Sequence, residues 1–117
     1  MAAVDITQAA AFIGTLVWTE GDPVSIALRV DVDWSGAYRA EVRKTHKPTG
    51  LLMGELIVAA AYDTLTWPLE TLFTLTMTEA NSLLIPTGNY FTDIQLTGGV
   101  TRMWAKVRVE PQVTVAP

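Results

Sequence analysis

A chain of 117 residues is long enough to bury one core, and without a single cysteine it must do so with no disulfide, thiolate nucleophile or cysteine-type zinc site. The formal charge of -4 gives no dominant basic field for nucleic acid. With 50% hydrophobic and 17% charged residues, the composition lies at the apolar edge of water-soluble chains and leaves apolar surface for another subunit.

The first apolar run, AAAFIGTLVW from Ala9 to Trp18, is about half the length a membrane span needs. Asp5 precedes it and TEGD follows, where a signal peptide would carry basic residues and a small-residue cleavage site. It reads as a first strand over about residues 12–18, with no membrane partner.

From there the dominant period is two. In PVSIALRVDV, Val24, Ile26, Leu28, Val30 and Val32 alternate with Ser25, Ala27, Arg29 and Asp31, the pattern of a strand with one wet face. After the turn DWSG, AYRAEVRK sets Tyr38, Ala40 and Val42 against Arg39, Glu41 and Arg43. LLMGELIVAA is apolar on both faces, which suits either a doubly buried strand or an edge covered by a partner. ETLFTLTM places Phe73, Leu75 and Met77 together, and TEANSLL predicts a turn or two of helix capped by Thr78 and ended before Pro86. NYFTDIQL then aligns Tyr90, Thr92, Ile94 and Leu96, and RMWAKVRV sets Met103, Ala105, Val107 and Val109 against Arg102, Trp104, Lys106 and Arg108. Turn signals fall between the strands at HKPTG, YDTLTWP and TGG.

Seven short strands at this spacing predict an all-β antiparallel sandwich, one domain over residues 1–117 with 1–18 as arm and first strand and 19–114 as body. The stretch IPTGNY sharpens it. Pro86 and Gly88 turn a corner, and Tyr90 enters the sixth strand where immunoglobulin-like sandwiches carry a tyrosine bonded back to that corner. Thr92 stands where an antibody domain has its second cysteine, so the prediction is the wider immunoglobulin-like architecture.

Read in order, TEGDPVSIALRV, WSGAYRAEVRK, FTLTMTEANSLLIPTGNYFTDIQL and MWAKVRVEPQVT resemble the small β-sandwich domains of tailed-bacteriophage virion proteins, found in siphophage baseplate, lower-tail-fibre and minor-tail components. The resemblance rests on Gly21-Asp22 ahead of the second strand, the Gly36-Ala37 step into a strand ending Val42-Arg43, and the Pro86-x-Gly88-x-Tyr90 corner, and covers about residues 19–114. It implies a non-enzymatic structural subunit located in the virion, in contact with other virion proteins and further copies of itself. Two other expectations stand beside it: a carbohydrate-binding module of a receptor-binding complex, and a capsid decoration or head–tail connector protein.

No catalytic, metal or cofactor site is expected. His46, in KTHKPTG, is the lone histidine and reads as a solvated turn residue, since it has no second ligand for zinc. No serine sits in a Gly-x-Ser-x-Gly elbow. Asp31 with Asp33, and Glu70 with Glu79, are the nominal carboxylate pairs, and all four suit solubility and turn bonding better. Gly98-Gly99 reads as a hairpin turn, with no Lys-Ser pair behind it to make a phosphate loop. Of four tryptophans, Trp18, Trp34 and Trp67 are expected to plug the sandwich ends, whereas Trp104 points outward.

In an immunoglobulin-like sandwich the third, sixth and seventh strands share a sheet. Arg39, Glu41, Arg43, Phe91, Asp93, Arg102, Trp104, Lys106 and Arg108 should then lie together on its outer surface. That is an aromatic patch in a basic surround, a composition enriched at interface hot spots. The expected assembly interface is therefore Arg39, Arg43, Phe91, Arg102, Trp104, Lys106 and Arg108.

Overall fold

The computed structural model describes residues 11–47, 49–65 and 70–112. Seven strands follow one another: β1 (Ala11–Thr19), β2 (Val24–Val30), β3 (Tyr38–Arg43), β4 (Leu52–Tyr62), β5 (Thr71–Met77), β6 (Gly88–Leu96) and β7 (Thr101–Glu110), with a single short helix α1 (Glu79–Ser82) between β5 and β6. Trp67, part of the YDTLTWP turn, Pro48 and residues 1–10 and 113–117 lie outside the described residues.

The strands pair in the order β1-β7-β6-β3-β4-β5-β2. β4 belongs to both layers. Its first half pairs with β3, from Arg43 opposite Leu52 to Ala40 opposite Leu56, and its second half pairs with β5, from Ile57 opposite Thr76 to Tyr62 opposite Thr71. The result is a sandwich in which β1, β7, β6 and β3 form one layer, β5 and β2 the other, and β4 passes between them. With β3, β6 and β7 in one sheet and β2 and β5 in the other, the fold is immunoglobulin-like, as the strand alternation and the Pro86-x-Gly88-x-Tyr90 corner together predicted. Burial alternates regularly through the crossing, with Leu56, Val58 and Ala60 inward and Ile57, 63% exposed, Ala59 and Ala61 outward; LLMGELIVAA hides this alternation because its outward positions are apolar too.

One pairing departs from the antiparallel expectation: β1 runs parallel to β7. β1 makes no hairpin with its neighbour in sequence. It passes through a turn, closed by Asp22 N–H donating to Thr19 O at 3.1 Å, into β2 of the opposite layer, and so descends alongside β7. The ladder has a bulge between Phe12 and Thr15, and there Gly14 adopts φ 101°, a left-handed conformation that glycine takes without steric cost.

Most inward positions of the alternating strands are buried as predicted, but Ile26, Leu28 and Val30 of β2 and Leu96 of β6 are half-buried, and Val32, expected inward, lies beyond the end of β2 and is 41% exposed. Tyr38, Ala40 and Val42 of β3, Phe73, Leu75 and Met77 of β5, Tyr90 and Ile94 of β6, and Met103, Ala105, Val107 and Val109 of β7 form one core, joined by Leu16, Trp18, Val24, Leu56 and Ile85. Ile85 closes the lower end over β4. A Cβ on Gly54 would come within 2.9 Å of its Cδ1, so this glycine is the space the isoleucine fills. Trp18 is buried in the core, and Trp34 is half-buried against it.

Two side chains tie the ends. Tyr90 Oη donates to Pro86 O at 2.5 Å, which is the predicted corner. A Cβ on Gly88 would stand 3.2 Å from that hydroxyl and crowd the bond. At the other end Thr71, fully buried, donates to Val32 O at 2.6 Å and accepts from Trp34 N–H at 2.9 Å, fastening the β2–β3 loop to the start of β5. Thr78 caps α1 by accepting from Asn81 N–H at 3.2 Å.

Neighbouring hydroxyls on β6 should behave oppositely. Tyr90→Phe leaves the Pro86 carbonyl without its partner and is expected to lower stability by about 1–2 kcal/mol. The Thr92 hydroxyl is buried with no hydrogen-bond partner, so Thr92→Val should hold or raise stability by up to about 1 kcal/mol. Urea midpoints of the two variants check this, and a shift in the same direction for both would contradict it.

Burial, and secondarily the Glu20 carboxylate, push the Tyr90 hydroxyl above its ordinary value. The folded state therefore holds this proton more tightly than the unfolded chain. Its contribution is fully present below the unfolded value of about 10 and is lost as pH rises through the higher folded value. An alkaline denaturation series should show wild-type stability falling above that pH, and the fall should be reduced in Tyr90→Phe.

Candidate assembly face

Because Tyr90, Thr92 and Ile94 point inward on β6, Phe91 and Asp93 must point out. The same holds on β7 for Trp104, Lys106 and Arg108. Register then brings distant residues into rows across the sheet. One row is Arg43, Phe91, Lys106 and Thr15; the next is Glu41, Asp93, Trp104 and Phe12. The predicted neighbours Arg39, Arg43, Phe91, Trp104, Lys106 and Arg108 do share this face.

The aromatic centre is larger than the sequence suggested. Trp104 lies against Phe12 of β1, with ring centroids 4.4 Å apart, and against His46, whose ring stacks on the indole at 4.3 Å and 22°. His46 also stacks near Phe91 at 5.5 Å and 17°, and its Nε2 is 2.8 Å from Asp93 Oδ1. The expected solvated turn histidine is thus folded down onto the strands, gathering Phe91, Asp93 and Trp104 beneath the β3–β4 turn. Phe12 stays 50% exposed at the far end of the row.

The basic surround is partly neutralised. Glu41 pairs with Arg43 at 2.9 Å and Arg39 at 3.5 Å, and Arg39 also reaches Glu55 of β4 at 3.2 Å. Arg43 further donates to Gly50 O at 2.6 Å, which anchors the β3–β4 turn. Arg108 pairs with Glu110 at 3.2 Å. The Arg39–Glu55 pair is more than half exposed on both sides and adds little stability. What these pairs do is hold long side chains flat beside the aromatic row. Arg102 leaves the group: its guanidinium lies over Trp34 at 5.3 Å, at the end of the sandwich.

Two depressions flank Phe91. One, of about 170 Å³, is bordered by Arg39, Arg43, Thr45, His46, Lys47 and Asp93. The other, of about 340 Å³, lies between β1, β6 and β7 and is bordered by Thr15, Asn89, Lys106 and Arg108. Glu70 and Glu79 flank opposite ends of β5, and Asp33 is engaged in a turn, accepting from Ser35 Oγ at 2.7 Å and Ser35 N–H at 3.2 Å. Among the described residues no group of three histidine, cysteine or acidic side chains is placed to hold a metal ion.

No family model and no curated protein matches the chain. Among solved structures it is similar to the NK cell receptor Nkp44, at 12% identity and a TM-score of 0.41 over 88% of this chain and 98% of that one. It is also similar to a chain of the ZIG-8–RIG-5 IG1–IG1 heterodimer, at 13% identity and a TM-score of 0.28 over 92% and 89%. The assignment to the immunoglobulin-like class rests on the strand order and the tyrosine corner, independently of these scores.

Stacking between two flat rings shifts protons of one into the shielding zone of the other. The His46 ring protons should therefore resonate upfield of a free histidine in the NMR spectrum, and most of that displacement should vanish in Trp104→Ala. Free-histidine positions in the wild type would show that the turn does not lie on the face.

Proposed function

We propose that the chain is a non-enzymatic structural subunit of a tailed-phage particle, in the tail, tail tip or baseplate and fibre region, assembling through the outer face of the β1-β7-β6-β3 sheet. The observation that carries this is the aromatic row of Phe12, Trp104, His46 and Phe91, presented on paired strands between rims of ion-paired arginine and glutamate. Rigid aromatic groups lose little conformational freedom on contact, and a charged rim supplies register. A merely solvated strand face would have no reason to collect four rings from β1, β6, β7 and a turn. The particle itself is inferred from the resemblance in the sequence, whose Gly-Asp, Gly-Ala and Pro-x-Gly-x-Tyr features sit at the turn before β2, the start of β3 and the corner into β6.

The carbohydrate reading draws less support. A sugar stacks on an open aromatic face, and the Trp104 indole already has His46 and Phe12 against it, while Trp34 carries the Arg102 guanidinium.

The test separates folding from assembly. Trp104→Ala combined with Arg108→Ala removes no core side chain, only the half-buried indole with its Phe12 and His46 contacts and an exposed guanidinium, so the melting temperature should stay within a few degrees of wild type, while incorporation into particles should drop at least about tenfold, the loss of one hot-spot contact. Wild-type incorporation of the folded double variant would refute the proposal.

A further inference from the structure

The seven-strand ladder has two ends, and the chain treats them differently. At one end β1 is interrupted between Phe12 and Thr15, with Gly14 at φ 101°, and a bulge of this kind bends an edge away from further pairing. At the other end β2 is unbroken. All seven of its residues, Val24 to Val30, pair in one register with Met77 to Thr71 of β5. VSIALRV contains no proline, glycine or lysine, and Arg29 is its single charge. Among the described residues no strand pairs with its outer side. Ile26, Leu28 and Val30 point inward yet are only half-buried, whereas Leu75, Phe73 and Thr71 opposite them on β5 are fully buried. Apolar side chains and a row of unpaired backbone N–H and C=O groups therefore meet water along one line.

We infer that β2 pairs antiparallel with β2 of a second copy of this chain, across a two-fold axis at Ala27. An open edge accepts another strand, and the β2 sequence is complementary to itself in register, facing and charge. An axis at Ala27 matches all seven residues of one copy with all seven of the other: Ala27 meets Ala27, Ile26 meets Leu28, Ser25 meets Arg29 and Val24 meets Val30. In every pair an inward residue meets an inward one, so the half-buried Ile26, Leu28 and Val30 each gain an apolar neighbour. Arg29 falls opposite a serine, and the two copies' arginines stand four residues apart along the strands, about 13 Å, beyond the screening length of about 10 Å in 0.1 M salt. Alternate residues send their backbone groups to the same side, so seven facing seven make three or four doubly bonded pairs. That is about six to eight hydrogen bonds, within the range of about 5–15 found in a typical protein interface. The contact is isologous and closes at two copies. It leaves the β1-β7-β6-β3 face of each copy free, so the dimer presents two aromatic rows; the inference goes beyond the assembly-face reading and does not rest on it.

Analytical ultracentrifugation of the full chain tests this, with Ala27→Lys, Ala27→Glu and their equal mixture beside the wild type. Ala27 is exposed on the outer surface, and circular dichroism checks that both variants fold. The wild type should sediment as a dimer that dissociates on dilution. Each variant alone sets two like charges across the axis, where the Cβ atoms of opposed residues stand about 5 Å apart, and its dimer should weaken about fivefold or more. The mixture in low salt should recover a one-to-one heterodimer, because residue 27 of one copy then meets the opposite charge on residue 27 of the other. Trp104→Ala should dimerise like wild type. A monomeric wild type, variants that dimerise as the wild type does, or a mixture no tighter than its components overturns the pairing at Ala27. So does a dimer lost in Trp104→Ala and kept in Ala27→Lys, which would assign the contact to the aromatic face.

Discussion

The register of β6 on β7 is the constraint on which the rest of this molecule depends. Thr92 stands opposite Ala105, Ile94 opposite Met103 and Tyr90 opposite Val107, and all six are buried. A slip of β7 by one residue would turn Met103, Ala105 and Val107 to water and bring Trp104 and Lys106 toward the core. Loss of that apolar burial, at roughly 1.5–3 kcal/mol for each large side chain, together with burial of the Lys106 charge, is comparable with the whole net stability of a small domain. The inward row therefore fixes the outward one. The aromatic face exists because the core permits a single register, and the Tyr90 bond to Pro86 sets where that register begins.

β4 shows how the same backbone rules close the second layer. By pairing first with β3 and then with β5 it makes one continuous ladder of seven strands from two sheets. It also puts Glu55 on the assembly face, next to Glu41 and within 3.2 Å of Arg39, while Ile57 turns outward beyond the crossing. One strand thus supplies a core residue, a member of the charged rim and the join between layers.

Much of the fold was legible because its strands are wet on one side. β2, β3, β5, β6 and β7 announce themselves by period two, and the tyrosine corner by Pro86, Gly88 and Tyr90. β4 was not legible in detail, since Ile57, Ala59 and Ala61 on its outward side are apolar like Leu56, Val58 and Ala60 on its inward side, and such a pattern is consistent with several placements. Nor does the sequence of β1 carry its direction relative to β7, which follows from the crossover into β2. On the face, Phe91, Trp104, Lys106 and Arg108 could be read from alternation alone. His46 could not. Its partners Phe91, Asp93 and Trp104 come from strands far along the chain, and no local feature of KTHKPTG signals that the turn folds over them. Phe12 was missed for a related reason, being brought to Trp104 only by the parallel pairing.

On the proposed function the outer sheet face is a buried contact in an assembled particle, and cryo-electron microscopy of intact particles observes this directly. Density from a neighbouring subunit packed over Phe12, Trp104, His46 and Phe91 is the predicted result. An ordered copy of this domain whose aromatic row faces solvent, held in the particle through another surface, would contradict it.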